Sequence, residues 1–181
     1  RGNFGLGGVT GLGGKEGRVP LKKEDVTFVE ILKDNGYKTG MIGKWGLGEP
    51  NTSGEPNKKG FDYFFGFLNQ RRAHSYYPDY LWENSKKLFL ENNDGKGKDY
   101  SHNLFLKKTL SFIEKNRNSP FFLYLPLCIP HSDYEIPQIL DIYKEKKWMN
   151  KQKIYASMVS TMDNSVGKIM EKLKDLDIDK K

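Results

Sequence analysis

The fold of this chain is decided by the stretch Gly36-Tyr37-Lys38-Thr39-Gly40-Met41-Ile42-Gly43-Lys44-Trp45-Gly46-Leu47-Gly48. A short apolar strand leads into Lys44, and glycine stands close to that lysine on both sides. Glycine lets the backbone turn sharply and approach a ligand closely, and the ends of strands in α/β sheets are where ligands bind. An ammonium group held there suits an anion such as sulfate or phosphate. An isolated Gly-Lys pair is also compatible with a buried edge strand that ends in a solvated lysine.

Three segments in this order resemble the signatures of a known family. The first is the pattern G-Y-x-T-x-x-I-G-K-W-x-L-G, which is the stretch quoted above. The second is a buried strand that ends in Pro-His, at Phe121–His131, and the third is a helix with the core M-D-x-x-V-G, at Tyr155–Ile169. Together they resemble the type I sulfatases of the alkaline-phosphatase-like superfamily, over nearly the whole chain. The resemblance implies an α/β fold, as part of a three-layer sandwich with a mostly parallel sheet.

The resemblance also implies roles for two residues. The family lysine that Lys44 matches contacts the sulfate ester and neutralises charge on the transferring group. The family histidine that His131 matches binds sulfate or protonates the leaving oxygen, and imidazole suits this role because it titrates near neutral pH. We therefore expect Lys44 and His131 to be catalytic and to converge on one oxyanion pocket. Without the family pattern, His131 would equally be read as a structural histidine.

The sequence departs from the commonest family pattern at Gly46. Many sulfatases read G-K-W-H-L-G there, and that histidine touches the formylglycine. Our hypothesis is that His74 covers this gap or contacts substrate, or that a residue outside the chain does so. Arg72, like its neighbour Arg71, could meet further sulfate or carboxylate groups of a sugar. The simpler alternatives are a hydrogen-bonded loop histidine and ordinary surface arginines.

The catalytic residue of the family is a Cys or Ser in a C/S-x-P-x-R motif, which is oxidised to formylglycine. Cys128 precedes Pro130 in this way, but Ser132 stands where the motif needs arginine. We interpret Cys128 as a small buried hydrophobic residue. The resemblance implies that calcium and formylglycine belong to an intact parent, of which this chain is an internal fragment. We identify no residue for either cofactor and predict no metal site here.

Composition limits the classes of partner. The chain has 181 residues and a formal net charge of +7, and 36% of its residues are hydrophobic. It lacks the interleaved aromatic and basic residues of nucleic-acid-binding motifs and any apolar stretch long enough to cross a membrane. We expect a small-molecule or saccharide sulfate ester as partner, with no nucleic acid and no membrane. A single cysteine does not indicate whether the protein is in a reducing or an oxidising compartment. The resemblance implies a periplasmic or secreted protein. The sequence does not predict the oligomeric state.

Local signals divide the chain. Residues 1–17 are glycine-rich and predict a loop, and residues 18–181 predict a partial sulfatase catalytic domain. A capping box at Thr27 and Glu30 predicts a helix that ends at Gly36. The apolar run Phe121–Leu127 predicts a strand buried on both faces. The other predicted elements are a hairpin around residues 92–95 that follows a strand at 86–90, and helices over residues 101–117, 138–143 and 150–175.

Three kinds of function remain open at this point. The leading interpretation is a fragment of a sulfuric ester hydrolase that acts on sulfated sugars or aryl sulfates. The rival enzyme is a phosphodiesterase, phosphatase or phosphonate hydrolase of the same superfamily, because its anion has similar geometry. The third is a non-catalytic basic module that binds anions or sugars. We expect the fragment alone to be inactive.

Overall fold

A five-stranded sheet forms the centre of the computed structural model, which describes residues 20–93 and 97–180. Its strands are β1 (Lys38–Lys44), β2 (Tyr63–Phe67), β3 (Tyr80–Glu83), β4 (Lys86–Phe89) and β5 (Phe121–Tyr124). They lie in the order β4-β3-β2-β1-β5. β1 pairs in parallel with both β2 and β5. β3 and β4 form an antiparallel hairpin, and β3 also pairs antiparallel with β2. The predicted loop at residues 1–17 lies outside the described residues.

The helices are α1 (Phe28–Asp34), α2 (Ser101–Asn116), α3 (Asp141–Lys144) and α4 (Asn150–Asp175), with short 3₁₀ turns at Pro56–Lys59, Arg72–His74 and Glu91–Asn93. The predicted capping box is confirmed: the Glu30 N–H donates to Thr27 Oγ1 at 3.3 Å, and the Thr27 N–H donates to Glu30 Oε2 at 2.7 Å. Gly36 follows the helix with φ of 86°, a left-handed conformation that glycine adopts without strain. Across the described ranges, no helix is long and apolar enough to span a membrane.

The side chains of β1 alternate between two hydrophobic cores, one on each face of the sheet. Met41 packs with Val29 of α1 on one face. Its neighbour Ile42 packs on the other face, with Phe112 of α2 and Met158 of α4. Met41 and Ile42 both have 0% exposure. Helices therefore cover both faces of a sheet whose centre is parallel, and the expected three-layer α/β arrangement is confirmed.

Three predicted elements differ from the structure. The hairpin predicted around residues 92–95 lies partly outside the described residues, but its strand is paired wrongly: β4 pairs with β3, the strand before it, and the turn lies at Asn84, whose φ is 53°. Asparagine tolerates this conformation better than most residues, so it suits a tight turn. β5 ends at Tyr124 and its side chains are partly exposed, since β1 is its one neighbour in the described part of the sheet. α3 begins at Asp141 rather than at residue 138.

Candidate functional site

The carboxyl ends of β1, β2 and β5 meet at one edge of the sheet, because these strands are parallel. Lys44 is the last residue of β1, and its backbone N–H donates to the Pro126 carbonyl at 2.9 Å, in the segment that follows β5. Burial raises the pKa of the Cys128 thiol to about 12, and the positive charge of Lys44 acts on the same thiol in the opposite direction. Lys44 therefore lies beside the segment that leads to His131, and the predicted convergence of the two side chains on one pocket stays a prediction.

Two histidines from distant parts of the sequence lie in contact at this edge. The ring centroids of His74 and His131 are 4.7 Å apart, and the ring planes meet at 73°. His74 Nδ1 lies 3.4 Å from Asp133 Oδ2, and His131 Nδ1 lies 2.9 Å from Ser132 Oγ. Within the described residues, Nε2 of His131 has no hydrogen-bond partner. This nitrogen is therefore available for proton exchange with a bound molecule.

Tyr76 fixes the position of the His131 segment, and the sequence interpretation missed this role. Its side chain has 0% exposure, and its hydroxyl donates to the carbonyls of His131 at 3.2 Å and Ser132 at 3.3 Å. Burial raises the pKa of Tyr76 to about 12, so the hydroxyl keeps its proton and remains a donor. In the sequence, Tyr76 was one member of an aromatic cluster, which predicts only core packing.

The structure explains why no side chain stands at position 46. Gly46 has φ of 84°, and a Cβ added there would lie 2.5 Å from Cγ of Gln70. The Gln70 amide donates to the Trp45 carbonyl at 3.4 Å, which holds this side chain against Gly46. The space beside Gly46 is thus filled by Gln70. His74, predicted to replace the family histidine, lies instead against His131, and its role stays a prediction.

Arg72 lies in a separate cleft next to the histidine pair. Its guanidinium stacks 4.0 Å from the ring centroid of Tyr80 and pairs with Asp79. It lines a cavity of about 310 Å³ together with Trp82 and Lys87. Arg72 and His74 belong to the same three-residue 3₁₀ turn, so one short element contributes a side chain to each of two neighbouring sites.

The part of the chain that the structure describes does not fit a calcium site. It contains no group of three or more His, Cys, Asp or Glu side chains that could hold a metal ion. Cys128 does not fit a formylglycine precursor either, since it is only 5% exposed and Ser132 takes the place of the motif arginine. The interpretation of Cys128 as a small buried residue is confirmed. We assign no chemical step to either cofactor in this chain.

Sequence comparison relates the chain to curated sulfatases. N-acetylgalactosamine-6-sulfatase of Homo sapiens is 31% identical in an alignment 161 positions long that covers 82% of this chain and 29% of that protein. Arylsulfatase J of Mus musculus is 28% identical in an alignment 163 positions long that covers 85% of this chain and 27% of that protein. The chain thus spans less than a third of the length of either relative.

Structure comparison gives the same family. The crystal structure of Ps i-CgsB in complex with k-i-k-neocarrahexaose matches with a TM-score of 0.74 and 28% identity, over 88% of this chain and 39% of that one. The PsFucS1 sulfatase from Pseudoalteromonas sp. shares the fold, with a TM-score of 0.62 at 19% identity, over 86% of this chain and 36% of that one. The fold is that of the alkaline-phosphatase-like proteins, and residues 2–181 match the model of the family described as Sulfatase. This chain therefore belongs to the sulfatase family.

Proposed function

We propose that the complete protein hydrolyses sulfate esters of sugars or aryl alcohols. The observation that carries the proposal is that Lys44, the last residue of β1, bonds through its backbone N–H to Pro126, in the segment that leads to His131, whose ring centroid lies 4.7 Å from that of His74. Parallel α/β sheets bind ligands at this edge. The family match and the similarity to N-acetylgalactosamine-6-sulfatase support sulfate as the anion.

In this proposal the two catalytic residues act on opposite ends of the scissile bond. The Lys44 ammonium binds a sulfate oxygen and offsets the negative charge that builds up on the sulfuryl group. His131 donates a proton from Nε2 to the alcohol oxygen as the S–O bond breaks, so that the product leaves as a neutral alcohol. In the net reaction the sulfuryl group passes to water and leaves as hydrogensulfate. His74 contacts substrate and lies edge-on to the His131 ring, which limits the orientations of that ring.

The family resemblance implies calcium and formylglycine. The ligands of the calcium ion and the residue oxidised to formylglycine would lie outside the described residues. The same resemblance supports a periplasmic or secreted protein. Arg72 serves substrate binding in our proposal, because its guanidinium lines the cleft on the other side of the Arg72–His74 turn.

The test uses the complete protein with 4-nitrophenyl sulfate and 4-nitrophenyl phosphate as paired substrates. We expect sulfate ester turnover, and a fall in kcat of about 100-fold or more for Lys44→Ala and for His131→Gln. The matched control is Lys38→Ala, because Lys38 is an exposed lysine at the opposite end of β1. This control should keep the wild-type rate.

Two results would refute the proposal. One is turnover of the phosphate ester without turnover of the sulfate ester, which would support the rival enzyme class. The other is a folded Lys44→Ala or His131→Gln variant with the wild-type rate. For His74→Gln we expect mainly a higher KM; if kcat fell alone, His74 would act in the chemical step rather than in binding.

A further inference from the structure

The β3–β4 hairpin presents aromatic rings on one face. Tyr80 lies opposite Phe89 and Trp82 lies opposite Lys87 in the register, so these four side chains share a face of the two-stranded ribbon. The Tyr80 ring centroid is 6.1 Å from that of Trp82 and 5.9 Å from that of Phe89. Phe89 is 66% exposed. A row of rings, half-buried at Tyr80 and Trp82 and exposed at Phe89, therefore lies at the side of the sheet.

Two cations lie over these rings. Lys87 Nζ is 4.4 Å from the Tyr80 centroid and 5.6 Å from the Trp82 centroid, and the Arg72 guanidinium is 4.0 Å from the Tyr80 centroid. Asp79 pairs with Arg72, whereas the described contacts of Lys87 are with the rings alone. Arg72 Nε is buried and has no hydrogen-bond partner among the described residues. The cleft thus holds one cation, Lys87, without a carboxylate partner among the described residues.

The cleft also has polar lining residues. Asn69 Nδ2 donates to Glu49 Oε1 at 3.1 Å, and both residues line the cavity of about 310 Å³ with Trp82, Arg72 and Lys87. The cleft therefore combines aromatic rings with cations over them, a hydrogen-bonded amide and carboxylate, and an exposed ammonium, and this combination suits one class of ligand. That class is a sugar ring that carries an acidic substituent, because sugars combine apolar C–H faces with hydroxyl groups.

The cleft lies next to the candidate catalytic site. Leu68 lines it, and the Leu68 carbonyl accepts from the Gly46 N–H at 3.1 Å, two residues beyond Lys44. The Arg72–His74 turn reaches both places. We propose that this cleft, defined by Glu49, Asn69, Arg72, Tyr80, Trp82 and Lys87, binds a second sugar ring of a sulfated oligosaccharide while the scissile sulfate lies at Lys44 and His131. This inference rests on the proposed function, and it adds that the substrate is longer than one sugar.

The test compares substrates of two lengths in the complete protein. The probes are N-acetylgalactosamine 6-sulfate as the single sugar, and a chondroitin 6-sulfate tetrasaccharide and k-i-k-neocarrahexaose as the oligosaccharides. For Lys87→Gln and Trp82→Ala we expect the ratio of kcat/KM on the oligosaccharide to kcat/KM on the single sugar to fall about tenfold, mainly through KM. Lys86→Gln is the matched control, since Lys86 lies on the other face of the same strand and should keep the wild-type ratio.

The outcomes separate this inference from the proposed function. If sulfate esters are hydrolysed and Lys87→Gln keeps the wild-type ratio, the cleft inference is wrong and the proposed function stands. If no sulfate ester is hydrolysed, calorimetric titration with both oligosaccharides tests whether the cleft binds saccharide. Weaker binding by Lys87→Gln than by Lys86→Gln would then support the binding site in the cleft but not the proposed function. Equal binding by the two variants, or no binding by the wild type at millimolar concentration, overturns it. Lys87 is exposed, so its variant tests the inference even if Trp82→Ala fails to fold.

Discussion

We expect acid to destabilise this protein through His102, which lies between α2 and α4. The His102 side chain is 2% exposed, and its Nε2 lies 2.8 Å from Ser165 Oγ. The Ser165 hydroxyl donates its proton to the Thr161 carbonyl at 2.9 Å, so Nε2 of His102 carries the hydrogen of this bond. Nδ1 is then the acceptor nitrogen, and it is buried without a hydrogen-bond partner in the described residues. Protonation would place a charge in a buried site and a proton on Nδ1 that no described acceptor receives.

The magnitude follows from the pKa of this imidazole. Burial lowers the pKa of His102 from 6.5 to about 4, against a smaller opposite effect of the Thr161 backbone. The unfolded chain therefore binds more protons than the folded chain between these two values, and the free energy of unfolding falls as the pH falls through that window. At 1.36 kcal/mol per pKa unit, the loss is about 2 kcal/mol at pH 5 and about 3 kcal/mol below pH 4.

The assay is urea unfolding at several pH values between about 7 and 4, with His102→Gln as the reference. The glutamine amide can donate to Ser165 Oγ but does not titrate, and the carboxyl groups of the protein titrate in both variants and cancel in the difference. We expect the stability of the wild type relative to His102→Gln to fall by about 2 kcal/mol between pH 7 and pH 5. Parallel pH profiles of the two proteins would refute the argument.

Three further predictions concern packing and backbone conformation. Phe105→Ala should lower the free energy of unfolding by about 3–5 kcal/mol, because Phe105 is fully buried against Phe65 and Phe67; denaturant titration measures this. Gly46→Ala should lower the free energy of unfolding by about 1–3 kcal/mol, because alanine is strained at the positive φ of this position. Adding Gln70→Ala should recover only the part of this loss that comes from the clash with Gln70, and denaturant titration measures both values. Tyr76→Phe removes the donor to the His131 carbonyl and should lower kcat on 4-nitrophenyl sulfate in the complete protein; an unchanged kcat would show that this hydrogen bond does not position the histidine.

Elements that depend on neighbouring residues could be predicted from the sequence. The capping box at Thr27 and the glycine at position 36 set the ends of α1 through bonds within one turn, and α4 has its predicted bounds of 150 and 175. The hairpin could not be placed in this way. Residues 92–95 carry a strong turn signal, yet pairing is decided by the register between β3 and β4, which brings the turn to Asn84.

The site was predictable only in part, for the same reason. Lys44 ends β1, and parallel pairing with β5 places the segment that leads to His131 beside it, which the order of strands and motifs predicts. The contact between His74 and His131 depends on Tyr76, whose hydroxyl bonds carbonyls far along the chain. Such tertiary hydrogen bonds leave no local pattern in a single sequence.

The attachment of the β3–β4 hairpin at the margin of the sheet has a consequence for how such a protein can change. Lys44 is the last residue of β1 at the centre of the sheet, whereas Lys87 lies on a ribbon that, in the described part of the sheet, joins β2 alone. In our proposal the reacting sulfate ester and the second sugar are therefore held by separate parts of the sheet. An exposed position such as Lys87 can then change the proposed preference for a saccharide without changing the residues proposed for catalysis.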